Sequence, residues 1–220
     1  MSVTSKIAEL RASLPQGVQL VAVSKFHPVE ALQEAYDAGQ RIFGESRVQE
    51  LLIKQESLPK DIEWHMIGHL QTNKVRSIAP FVALVQSVDS ERLLRLIDRE
   101  AARCGRVIDV LLEVHVAEEQ TKSGWAVEEL TAFVRSGALA TLPNVRVRGI
   151  MGMATNTDNE AIIRNDFEQL FNIKKGLEPH FDSTFDTLSM GMSDDYELAI
   201  SCGSNMVRVG SLIFGERKPF

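Results

Sequence analysis

The sequence predicts an α/β fold, a single (β/α)8 TIM-like barrel with residues 1–220 as one domain. Three observations predict it. Eight apolar runs of strand length, rich in Val, Ile and Met, recur along the chain; helical patterns separate them; and no Gly-rich GxGxxG turn is present. Strict alternation implies parallel crossovers, and near-continuous apolar runs suit strands covered on both faces. The alternative, an open doubly wound sheet, fits eight units and the missing glycine turn less well.

The elements follow in order. A leading helix near 3–13 carries Ile7, Leu10 and Leu14 on one stripe and is expected to cap the barrel. "LVAVS" (20–24) is the first strand, followed by a helix over 28–38 with Pro28 at its first position and Gly39 as its stop. "RIFGES" (41–46) precedes a helix over 47–57, "WHMIGH" (64–69) precedes a short one near 72–79, and "LVQSVD" (84–89) is the fourth strand. The helix over 90–105 has a serine cap, a leucine stripe and a terminal glycine. "VLLEVHV" (110–116), "VRGIMGMA" (147–154), "TLSMGMS" (187–193) and "MVRVGSLIFG" (206–215) complete the strands. Helices over 126–136, 159–178 and 194–201 separate them.

Hydrophobic residues make up 44% and charged residues 25%, the balance of a globular protein. The 24 basic and 30 acidic side chains give a formal charge of -6, which argues against nucleic-acid binding but leaves room for a local phosphate pocket. No segment reads as a signal peptide or a membrane span. Cys104 and Cys202 have no CxxC spacing and suggest a reducing compartment, so a cytoplasmic protein is expected.

Lys25 ends the first strand, and in such barrels the active site lies at the carboxyl ends of the strands. A lysine there either pairs with a carboxylate at the rim or, losing hydration, offers a neutral amine that can form a Schiff base with an aldehyde. Two later segments favour chemistry. "SMGMSDD" (189–195) places Ser193 to cap the next helix, whose free N–H groups suit a phosphate. "VRVGS" (207–211) places Gly210 and Ser211 at the end of the eighth strand, and the loops after strands seven and eight are the frequent phosphate site of this fold. A lysine for an aldehyde and a cradle for a phosphate describe pyridoxal 5'-phosphate (PLP). Arg208 shares a strand face with Gly210, where it either donates to the PLP ring nitrogen or forms a rim salt bridge.

These residues resemble the PLP homeostasis proteins, the YggS/PROSC family. The resemblance rests on "AVSKFHP", "FGESRVQE", "WHMIGHLQTNK", "VRGIMGMA", "LSMGMSDDYELAI" and "VRVGSLIFGER", in that order and over nearly the whole chain. It implies a barrel of the alanine racemase N-terminal-domain type (PLP fold type III). It also implies PLP on Lys25, with Met192, Ser193, Gly210 and Ser211 at the phosphate and Arg208 at the ring nitrogen. The family usually reads FGEN where this chain has Ser46, a shorter hydroxyl in place of an amide; threonine often stands in place of Ser211, and a hydroxyl is kept. The implied role is to carry or buffer PLP without turnover, as a monomer, with PLP-dependent apoenzymes as candidate partners.

The competing class is a PLP-dependent racemase or lyase. Racemisation needs acid/base groups on both faces of the cofactor. The second-domain tyrosine of the racemases has no counterpart after the barrel, and Tyr36 and Tyr196 both fall in helices. A barrel for some other phosphorylated aldehyde suits the motifs less. His65 and His69, four residues apart on a strand and therefore separated by about 13 Å, cannot share a metal ion. His69 is a candidate for the barrel mouth; Glu113 and His115 are expected as interior polar residues, and Lys122 as a solvated loop charge or, alternatively, a second anion contact.

Overall fold

The computed structural model describes residues 2–119 and 123–215. Eight parallel strands close into one barrel in chain order. They are β1 (Gln19–Val23), β2 (Ile42–Glu45), β3 (Glu63–Met66), β4 (Leu84–Val88), β5 (Ile108–Glu113), β6 (Val145–Met151), β7 (Thr187–Ser189) and β8 (Met206–Val209). Closure pairs β1 with β8, Val21 opposite Arg208 and Ala22 opposite Val209. The helices are α1 (Val3–Ser13), α2 (Val29–Asp37), α3 (Val48–Ser57), α4 (Val75–Ile78), α5 (Glu91–Arg103), α6 (Val127–Arg135), α7 (Glu160–Leu177), α8 (Tyr196–Ser201) and α9 (Ser211–Phe214).

Side-chain alternation divides the core. Val21, Leu84, Leu111, Met151 and Met206 form a small cluster that plugs the barrel interior. Their neighbours in sequence, such as Ala22, Val85, Leu112, Ile150 and Val207, join the larger core between strands and helices. Each fully buried aliphatic side chain there contributes about 1.5–3 kcal/mol relative to exposure. The signals at the ends of α5 act as read from sequence: the Ser90 hydroxyl accepts from Leu93 N–H, and Gly105 takes φ +63° just past the helix.

Three expectations are corrected. The seventh strand stops at Ser189 rather than running to 193, because Gly191 (φ +96°) turns the chain so tightly against α8 that a Cβ would lie 2.6 Å from the Ala199 Cβ. The eighth strand stops at Val209, not 215; "SLIF" forms the single turn α9, and one turn is too short to show a helical period. The leading helix packs against α2 and α9 instead of capping an end of the barrel.

Candidate functional site at the carboxyl end of the barrel

Lys25 lies two residues past β1, half-buried, in a turn closed by the His27 N–H donating to Ser24 O at 3.1 Å. The next residue, Phe26, has φ +68°, and it alone among the described non-glycine residues has a positive φ. A turn needing that conformation ordinarily takes Gly or Asn, so a phenylalanine there carries strain that its surroundings must hold. Those surroundings are ionic. Phe26 N–H donates to Glu50 Oε2 at 2.7 Å, and the Arg47 guanidinium lies 4.7 Å from the Phe26 ring centroid. Beneath the turn, Lys54 Nζ reaches Ser24 O at 2.8 Å, Glu45 Oε1 at 2.6 Å and Glu50 Oε2 at 3.3 Å. Ser24 Oγ donates to the same Glu45 oxygen at 2.6 Å. Burial raises the Glu45 pKa, against the pull of Lys54 and Ser24.

The loops after β7 and β8 meet β1 directly. A Cβ on Gly210 would sit 3.0 Å from Val23 O, so the end of β8 presses on the end of β1. The His27 ring stacks on Phe214 of α9 with centroids 5.0 Å apart, tying the Lys25 turn to the segment that carries Ser211. Ser193 does not cap α8, as the sequence suggested; Asp195 occupies that position without a side-chain cap. Instead Ser193 Oγ accepts from Gly210 N–H at 3.2 Å and stitches the two loops together. Met192 N–H donates to Asp195 Oδ1 at 2.5 Å. The N–H groups of Ser193, Asp194, Ser211 and Leu212 find no acceptor among the described residues, leaving donors at the joined loops. Burial raises the Asp195 pKa, countered by the Met192 N–H and by Arg208.

Arg208 projects into the barrel rather than to a rim salt bridge. It is 4% exposed, and its Nη1 donates to Ser189 Oγ at 2.7 Å and its Nη2 to Gly152 O at 3.0 Å. The remaining guanidinium N–H groups have no acceptor among the described residues. Burial lowers its pKa to about 10, while Asp195 and Glu113 pull the other way, so it stays cationic. A relay of buried groups fixes its pose. Ser189 Oγ donates to Gln86 Oε1 at 2.7 Å, and Gln86 Nε2 donates to His65 Nδ1 at 2.9 Å. That last bond assigns the His65 proton to Nε2, and burial lowers the His65 pKa to about 3, so the imidazole is neutral.

Glu113 ends β5 with one oxygen accepting from Ser123 Oγ at 3.1 Å and the other buried without a hydrogen-bond partner among the described residues. Burial and nearby Asp89 raise its pKa; Ser123, Arg208 and His69 oppose the rise. His69 falls beyond β3, on the rim, with Nδ1 3.0 Å from Asp89 Oδ2. Ser46 lies against Gly68, where a Cβ would be 2.8 Å from the Ser46 Cβ. Lys122 lies outside the described residues. Among the described residues no group of three His, Cys, Asp or Glu side chains is placed to hold a metal ion, and no helix is long and apolar enough to cross a membrane.

Lys25, Ser193, Arg208, Gly210 and Ser211 therefore belong to one end of the barrel, and Met192 contributes its backbone to the same loop. Sequence reasoning missed the supporting groups Lys54, Glu45, Gln86 and Ser189. A lysine inside an apolar helix stripe and a glutamine inside an apolar strand were the available signals.

A parallel barrel with a lysine turn and two joined loops at its carboxyl end defines a class before it defines a family. The family model described as "Alanine racemase, N-terminal domain" matches residues 2–218. Alanine racemase from Bartonella henselae superposes with a TM-score of 0.75 at 14% identity, covering 98% of this chain but 58% of that one, a likeness of fold. The pyridoxal phosphate homeostasis protein of Aquifex aeolicus is 41% identical over 91% of this chain and 87% of its own length. PipY of Synechococcus elongatus, solved with PLP bound, has a TM-score of 0.89 at 39% identity over 97% of this chain and all of its own. The chain belongs to the pyridoxal phosphate homeostasis protein family.

Proposed function

We propose that this protein binds PLP at the barrel mouth and carries or buffers it without turnover. Lys25 supplies the amine, Met192, Ser193, Gly210 and Ser211 hold the phosphate, and Arg208 faces the ring nitrogen. The observation that carries the proposal is the joining of the lysine turn to the cradle, through Gly210 against Val23 and His27 stacked on Phe214. PLP, when bound, supplies an aldehyde for a neutral amine and a ring that can withdraw electrons. Arg208 keeps its own proton and donates, so it does not protonate the ring and leaves it a weak electron sink. The relay through Ser189 and Gln86 to neutral His65 orients that donor. Lys54, Glu45 and Glu50 hold the strained turn that aims Lys25.

Relatives matched along most of their length carry the homeostasis name, whereas the racemase is matched over 58% of its own. The two tyrosines do not supply a free second acid/base group: Tyr36 donates to Asp61 at 2.7 Å and Tyr196 to Glu197 at 3.1 Å. Action in a reducing compartment such as the cytoplasm fits two unpaired thiols. PLP-dependent apoenzymes are the natural recipients.

The test is incubation with a panel of amino acids, following solvent deuterium at Cα and product formation. No exchange at enzyme-like rates is expected. Turnover at roughly 1 per second or faster that disappears in Lys25→Ala would establish an enzyme instead.

A further inference from the structure

A groove of about 870 Å³ runs between α4 and α5, away from the ligand site. Its long wall is α5, where Arg92, Arg95 and Arg99 recur at i, i+3 and i+7 and share one face over about 10 Å. Arg76 of α4 stands on the opposite wall. All four are exposed. Two carboxylates also line the groove: Glu91 pairs with Arg95 Nε at 2.6 Å, and Glu100 is buried beneath Arg99 and Arg103. Arg76 and Arg92 pair with no carboxylate among the described residues. Four arginines against two glutamates leave an excess of positive charge on a chain whose formal charge is -6. The groove does not end on the helices. A second hollow shares Thr72, Asn73 and Arg92 with it and extends to His69 and Asp89, beyond the carboxyl ends of β3 and β4.

We propose that this groove is the docking surface for an acidic helix of a partner protein. Guanidinium forks match carboxylates in geometry as well as charge, and a row at helical spacing is matched by carboxylates repeating at i, i+3 and i+7. Continuity with the His69–Asp89 rim places the docked partner beside the barrel mouth. Identifying that partner as a recipient of PLP rests on the function proposed above; the docking itself does not. The excess charge steers association and makes it salt-dependent.

The experiment uses the full chain loaded with PLP. The probes are a labelled alanine-rich helical peptide with glutamates at i, i+3 and i+7, an isomer with the same glutamates spread around the helix, inorganic triphosphate and a single-stranded oligonucleotide. The in-register peptide is expected to bind more tightly than the isomer, with an on-rate that falls as salt rises. Arg92→Glu with Arg99→Glu should weaken it about tenfold or more, while Arg135→Glu on α6 leaves it unchanged. The absorbance of bound PLP should be the same in every variant. Equal binding of the two peptides, equal binding by the Arg92/Arg99 variant, or preference for the oligonucleotide or triphosphate would overturn the proposal. Peptide discrimination retained in a chain that fails to load PLP would support the docking surface and count against the function proposed above.

Discussion

Lys54→Met removes the cation on which the Lys25 turn is built. The Lys54 side chain is 5% exposed and that of Glu45 is fully buried, with 2.6 Å between Nζ and Oε1, so solvent does little to screen the pair. Deleting the ammonium leaves Glu45 as an uncompensated buried carboxylate, at a cost of about 3–5 kcal/mol. That is a large part of the roughly 5–15 kcal/mol that holds a domain folded. Burial already raises the Glu45 pKa in the folded state, and losing Lys54 raises it further. A carboxyl raised in the folded state lowers stability as pH climbs from its unfolded value through its folded one. The deficit of Lys54→Met should therefore be largest at neutral pH and shrink in acid, as Glu45 takes up a proton. Adding Glu45→Met removes both charges and should recover most of the loss. Urea unfolding at several pH values, with the slope checked for two-state behaviour, measures all three effects. A single-variant loss below about 1 kcal/mol, the range of a surface pair, or a double variant no more stable than the single one would refute the reasoning.

Two further outcomes follow from the barrel interior. Gln86→Leu strands the Ser189 hydroxyl proton and the His65 Nδ1 acceptor, and should cost about 1–3 kcal/mol for each group left unpaired. It should also change the nitrogen-15 shift of the ring nitrogen in labelled PLP, whereas Ser193→Ala and Ser211→Ala should weaken binding without moving that shift; an unchanged shift in Gln86→Leu would separate the relay from Arg208. Glu113→Gln keeps an acceptor for Ser123 but removes a carboxyl whose pKa burial raises. The unmodified protein should lose stability as pH rises through that raised value, and the variant should lose less over the same window. Parallel profiles in urea unfolding would exclude Glu113 as the titrating group.

What could be read in the sequence was what local chemistry specifies. Ser90, the leucine stripe of α5 and Gly105 mark that helix wherever it packs, and the apolar runs mark eight strands whatever their register. The failures fall where packing overrides local pattern. "SLIF" reads as strand because its apolar residues have no room to show a period in one turn. The Ser193 hydroxyl looks like a helix cap but is taken by Gly210 N–H, a partner 17 residues away. The Ser189–Gln86 bond spans 103 residues and exists only because the barrel closes. Phe26 carries a left-handed backbone that its side chain gives no reason to expect; the Glu50 carboxylate and the Lys54 pair beneath it hold that conformation.

The central claim is that Lys25 is the residue that carries PLP. Borohydride reduction of the PLP-loaded protein, followed by peptide mass mapping, tests it directly. The pyridoxyl mass is expected on the peptide that contains Lys25 and nowhere else, and the absorbance of the loaded protein should change on reduction. Finding that mass only on another lysine, such as Lys54 or Lys122, would contradict the account.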